Sequence, residues 1–173
     1  GWYRILIGII AVPRFSLDHS IFGTIDCAIR QFDYQFFKKT TKHHALIAGR
    51  KTYLSYPGGK ALPNRHNIVV TRDTSYQLTD SDVEHDLTSA IENAKKFAQE
   101  HNQDEIFIGG GSEIYKQGMD ICDRIYLTQI HMTVEGDRYF PEIDPKIWKK
   151  TSETFHKAGE GDDADYTIEI WDR

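Results

Sequence analysis

Cysteine is scarce. Cys27 and Cys122 are the only two in 173 residues, and they show neither metal-type spacing nor the density of a disulfide scaffold. Two incidental thiols fit a reducing, cytoplasmic setting. The eight histidines form no zinc-ligand pattern, so no metal is expected. Adjacent His43 and His44 cannot face the same way on a strand, which points to a solvated turn. Long apolar runs are also missing. The longest, Ile5 to Val12, is far too short to span a bilayer, and no basic stretch precedes it to make a signal peptide. An excess of positive charge is lacking too. The net charge of −5 gives no global field favouring nucleic acid or an anionic membrane, though a local basic cluster for a small anionic ligand stays open. Neither a GxGxxG fingerprint nor a GxxxxGK[ST] loop is present. There is no repeat, low-complexity segment or linker, so residues 1–173 are expected to form one domain; a monomer is the expected state.

What is present is an alternation of buried strands and amphipathic helices. Arg4 to Val12 is almost continuously apolar and β-branched, as in a strand buried on both faces, with Pro13 ending it. Asp26 to Thr41 carries Ile29, Phe32, Phe36 and Phe37 at helical steps of three and four. Ala45–Ala48 and Asn67–Thr71 read as strands, separated by loop chemistry from Tyr56 to Arg65. Arg72 to Asp86 reads as solvated surface. Thr88 or Ser89 can cap a helix through Gln99. Glu105–Ile108 is the next strand, Ser112–Met119 the next helix, and Arg124–His131 and Tyr166–Trp171 the last strands. The order predicts an α/β fold: a mostly parallel central sheet with an antiparallel C-terminal edge and helices on both faces.

Three features carry chemistry. Ile106 to Tyr115 is a strand, a glycine run and a helix start, where free N–H groups and the helix dipole suit a phosphate, although glycines in a turn can be merely structural. Gly49-Arg50-Lys51-Thr52 and Arg72 set cations just beyond buried strands, where open α/β sheets bind ligands; any one alone is more often a solvated charge, and the coincidence of three points to a phosphorylated ligand. Asp33 lies on the aromatic helix. It is either an exposed helical acid or a carboxylate whose pKa is raised by burial and useful near neutral pH.

Taken in order along nearly the whole chain, these pieces resemble dihydrofolate reductase of the bacterial type. The resemblance rests on the apolar first strand, Asp33 to Thr41, Gly49 to Tyr53, Leu62 to Arg65, Gly110 to Tyr115, Tyr126-Leu127-Thr128 and Glu135 to Pro141. It implies NADPH-dependent reduction of 7,8-dihydrofolate to tetrahydrofolate, with hydride transfer to pterin C6 and protonation at N5 supported by Asp33. It also implies that Thr128 partners Asp33 at the pterin, that Tyr34 and Phe37 flank the rings, and that Ile7 and Ile9 lie beneath. Tyr56 and Leu62 would complete the substrate wall, and Arg65 would clamp the α-carboxylate of the glutamate tail. On the cofactor side it implies Ala11, Gly49, Arg50, Lys51, Thr52, Thr71, Arg72, Gly110, Gly111, Ser112, Glu113, Ile114 and Tyr115, with a cis bond between Gly110 and Gly111.

The chain departs from the family pattern in two places. The segment Pro13 to Arg30 is several residues longer, with Ile21-Phe22-Gly23 standing for an Ile-Gly turn and Cys27-Ala28 in the place of a Pro-Trp pair. Gly109 stands where the family has a branched residue, from which a roomier pterin wall and weaker binding of antifolates such as trimethoprim are expected. Two alternatives remain on the same fold. One is a reductase of another pterin or a riboflavin-pathway intermediate; the other is an NADPH- and folate-binding protein with little turnover.

Overall fold

A computed structural model describes residues 4–8, 12–13, 20–21, 32–131, 139–160 and 164–173, with backbone alone for 4–8, 12–13, 20–21, 32–34, 130 and 139–140. The elements in order are β1 (Arg4–Gly8), β2 (Val12–Pro13), β3 (Ser20–Ile21), α1 (Phe32–Thr41), β4 (Ala45–Gly49), α2 (Arg50–Ser55), a 3-10 turn (Pro57–Gly59) and β5 (His66–Val70). There follow β6 (Asp82–Glu84), α3 (Leu87–Glu100), β7 (Glu105–Ile108), α4 (Ser112–Gly118), β8 (Arg124–Ile130), β9 (Tyr139–Phe140), β10 (Lys149–His156) and β11 (Tyr166–Asp172).

The main sheet runs β10-β11-β8-β1-β7-β4-β5-β6, with β2 also pairing β8. Pairings from β8 through β6 are parallel, while β11 on β8 and β10 on β11 are antiparallel. The expected α/β sheet with its antiparallel C-terminal edge is the one observed. Strands β3 and β9 form a separate antiparallel pair. Among the described residues no helix is long and apolar enough to cross a membrane.

Both faces of the sheet are covered, which is why its central strands read as unbroken apolar runs. Side chains alternate along each strand. Ala45, Ile47, Ile106 and Ile108 therefore join a core with Leu87, Ala90, Ile91, Ala94 and Ala98 of α3 and Ile114 and Tyr115 of α4. Leu46 and Phe107 face the other way and pack with Phe37 of α1 and with Leu62. The sheet's connections reverse direction around β1, β7 and β4, since β7 inserts between the other two. Strand ends at such a reversal leave a crevice for ligands.

Several boundaries differ from the sequence expectation. The expected first strand is described over Arg4–Gly8 and again at Val12–Pro13, both paired in parallel with β8, while residues 9–11 lie outside the described residues. The expected helix from Asp26 is described only from Phe32, and Cys27 and most of the Pro13–Arg30 segment lie outside the described residues. Asp86, not Thr88 or Ser89, caps α3: its carboxylate accepts from the Ser89 N–H. β6 lies within a stretch read as plain surface, and β10 was not foreseen because its side chains are polar and exposed instead of alternating. His43 takes a left-handed φ of 68° in the turn expected there.

Candidate active site

The ends of β4 and β7 are stitched together. The Gly109 N–H donates to the Ile47 carbonyl at 2.8 Å and the Gly49 N–H to the Gly110 carbonyl at 2.7 Å. The Gly110–Gly111 peptide is cis, as the resemblance implied, and Gly110 has φ 122°, a region suited to glycine. A Cβ on Gly110 would stand 3.2 Å from the Tyr115 hydroxyl, and one on Gly111 3.0 Å from Thr52 Oγ1. A Cβ on Gly49 would meet Ile114 at 3.5 Å and the Gly111 nitrogen at 3.6 Å. Six expected cofactor residues, Gly49, Thr52, Gly110, Gly111, Ile114 and Tyr115, thus converge on one turn whose backbone is held bare by tight packing. Ser112 and Glu113 open α4 directly after it. A turn with no side chains of its own, at the crevice, fits the close approach of a dinucleotide.

The cationic flank is less free than the sequence implied. The Arg50 Nη1–H donates to Asp73 Oδ2 at 3.2 Å, and its guanidinium lies 4.9 Å from the centre of the Tyr76 ring. Lys51 and Arg72 are exposed. Thr71 ends the β5 side: its N–H donates to the Glu84 carbonyl and its hydroxyl accepts from the Asp73 N–H.

On the other face, Phe37, Leu46, Leu62 and Phe107 form one apolar cluster, with Tyr56 and Tyr126 packed against it. Three expected substrate residues, Phe37, Tyr56 and Leu62, are therefore brought together. Arg65 lies at its margin, and its guanidinium is fixed at three points. Nε–H donates to Thr41 Oγ1 at 2.8 Å, Nη1–H to the Pro63 carbonyl at 2.6 Å and Nη2–H to the Lys38 carbonyl at 2.6 Å. Thr41, fully buried, donates in turn to the Phe37 carbonyl at 2.8 Å. The Asn67 side chain ties the preceding loop by donating to the carbonyls of Leu62 and Arg65. Asp80 braces the same loop from below. It accepts from the Ala61 N–H and the Tyr53 hydroxyl, and burial together with this bond pushes the Tyr53 phenol up to about 12.

The roomier wall expected at Gly109 is not there. A Cβ on Gly109 would lie 2.8 Å from Leu46 Cδ1 and 3.4 Å from Phe37 Cζ, so Leu46 already fills the volume. Thr128 is fully buried on β8. Asp33 lies on α1 one turn before Phe37, and Ile7 pairs in register with Ile108 and Ile125. The side chains of Ile7, Asp33 and Tyr34 lie outside the described residues, as do Ile9, Ala11 and most of the Glu135–Pro141 motif.

Sequence reasoning missed Leu46, Thr41, Asn67 and Asp73. A hydroxyl four residues after Phe37 was the one local hint, since it can reach back to that carbonyl. A cleft of about 670 Å³ lies elsewhere, between β5, β6 and α3. There His66 and Asn93 bond each other at 2.8 Å, and Asn93 also bonds Asp82 and Glu84, so it is a self-satisfied polar network.

Comparison with known proteins bears on this arrangement. Residues 23–173 match the family model for dihydrofolate reductase. A dihydrofolate reductase of Staphylococcus haemolyticus is 38% identical over 141 residues, covering 82% of this chain and 80% of the relative. One from Aedes albopictus is 36% identical over 166 residues, covering 87% and 88%. Among solved structures, a dihydrofolate reductase from Enterococcus faecalis complexed with NADP(H) and RAB-propyl superposes with a TM-score of 0.78 at 30% identity, covering 99% of this chain and 96% of that one.

Proposed function

The chain belongs to the dihydrofolate reductase family, and on that premise we propose that it reduces 7,8-dihydrofolate to 5,6,7,8-tetrahydrofolate with NADPH as reductant. The observation that carries this reading is the bare Gly110–Gly111 turn joined to β4 beside an apolar wall that ends in a fixed arginine. NADPH, when bound, supplies the hydride taken up at pterin C6.

The residues of the chain supply orientation and one proton. Gly49, Thr52, Gly110, Gly111 and Tyr115, with the start of α4 at Ser112, Glu113 and Ile114, take the pyrophosphate and nicotinamide side, joined by Ala11. Arg50, Lys51, Thr71 and Arg72 take the adenosine side. Phe37, Tyr34, Leu62 and Tyr56 hold the pterin and benzoyl rings above Ile7 and Ile9, so that C6 faces the nicotinamide; such positioning is a large share of the catalysis. Asp33 and Thr128 hold the pterin amino group, and Asp33 supports delivery of the proton to N5. Arg65, whose orientation is already set by Thr41, Lys38 and Pro63, takes the tail carboxylate as a guanidinium does best.

On the same reading residues 1–173 form one reductase domain that works as a monomer in the cytoplasm. Weaker trimethoprim binding is also retained, on the ground that the wall beside Phe37 takes its side chain from Leu46 of β4 and none from Gly109, the residue after β7. Trimethoprim inhibition at the level of typical bacterial dihydrofolate reductases would remove that part.

The test of the activity is to mix protein, NADPH and dihydrofolate and follow NADPH absorbance. Oxidation well above background is expected, falling by about two orders of magnitude at neutral pH in Asp33→Asn. Tight binding of both ligands with no oxidation would instead make the chain a binding protein.

A further inference from the structure

Arg50 opens α2 with its guanidinium already engaged by a carboxylate. The Asp73 Oδ2 accepts from Nη1–H at 3.2 Å, while the Tyr76 ring covers the guanidinium at 4.9 Å. Asp73 is itself tied down, since its Oδ1 accepts from the Ser75 N–H at 3.0 Å and the Ser75 hydroxyl at 2.6 Å. The Ser75 hydroxyl, then its N–H, hold the Asp73 carboxyl below the usual range, so it stays ionised wherever the enzyme works. A fixed negative charge thus sits against Arg50 and directly follows Arg72 in the chain, among the cations assigned above to the adenosine side.

We infer that Asp73 is a specificity-determining carboxylate: it competes with the 2′-phosphate of the cofactor for Arg50 and so tempers the preference for NADPH over NADH. The inference rests on the reading that Arg50 meets the adenosine side. The Arg50 and Asp73 side chains are 42% and 45% exposed, so the pair is weak enough to be displaced by a phosphate. A phosphate dianion placed at Arg50 is repelled by the carboxylate left beside it, whereas a cofactor with a free 2′-hydroxyl is indifferent to that charge. Asp73 is thus a brake that acts on one cofactor and not the other.

The experiment measures dissociation constants of NADPH and NADH by titration of protein fluorescence, without substrate, for the parent, Asp73→Asn, Arg50→Gln and the double variant. Asp73→Asn keeps an oxygen to accept from Ser75, and Asp73→Ser serves as a second variant should the turn loosen. The expected result is NADPH binding about three- to fivefold tighter in Asp73→Asn, with NADH unchanged within twofold. The gain should vanish in the Arg50→Gln background and shrink as salt is raised. If Arg50→Gln weakens NADPH but Asp73→Asn leaves it unchanged or weaker, the role of Arg50 stands and the inference about Asp73 is overturned. If Arg50→Gln leaves both cofactors unaffected, the assignment of Arg50 fails and the inference falls with it.

Discussion

Leu46 Cδ1 lies 2.8 Å from the point where a Cβ on Gly109 would stand, so β4 and the residue that follows β7 share a single side-chain volume. Leu46 is 1% exposed and enclosed by Phe37, Leu62 and Phe107, and it has little room to swing aside. Gly109→Ala should therefore cost about 1–3 kcal/mol of stability, as overpacked cores do. Leu46→Val in the same chain should restore part of the loss. Urea unfolding of the four proteins of the cycle measures the coupling; strictly additive losses would mean the two residues do not share the space.

Thr41 orients Arg65. Its hydroxyl accepts from Nε–H at 2.8 Å while donating to the Phe37 carbonyl. Thr41→Val keeps the shape and removes both bonds. The expected result is a KM for dihydrofolate raised about five- to tenfold, from loss of roughly 1 kcal/mol, with kcat within twofold. A drop in stability with unchanged KM would leave Thr41 a purely structural residue.

Asp86 caps α3, and the Ser89 N–H it accepts holds its carboxyl below the usual range. A depressed folded-state pKa stabilises the protein above the unfolded value of about 3.9, and the contribution fades as pH falls through the folded value. Asp86→Ala should lower Tm at neutral pH, with the gap from the parent closing in acid. A gap that stays constant down to strongly acidic pH would exclude a charged cap.

Cys122 is inert in the folded chain. It is 1% exposed, and burial above all pushes its thiol up to about 12, leaving almost no thiolate at neutral pH. Peptide mapping after iodoacetamide treatment should find Cys122 unmodified in buffer and fully alkylated in urea. Alkylation in buffer at the rate of a free thiol would show that the region around α4 opens.

Much of this molecule could be read along the chain. Continuous apolar runs reveal strands buried on both faces, and Ile106–Ile108 and Ala45–Ala48 are such strands. The glycine run after β7 marked a backbone stripped of side chains, and it is one. The polar strand β10 was invisible because pairing with β11, not burial of its side chains, makes it a strand.

The sequence by itself determined the layer order, the glycine turn and the residue types available to the site, because these follow from periodicity and from local backbone freedom. Only the tertiary structure decided that Leu46 fills the space left by Gly109, that Thr41 holds Arg65, and that Asp73 engages Arg50. Each depends on which strands lie side by side and how closely they approach. Shared volume and hydrogen bonds between residues distant in the chain arise only once that order is set.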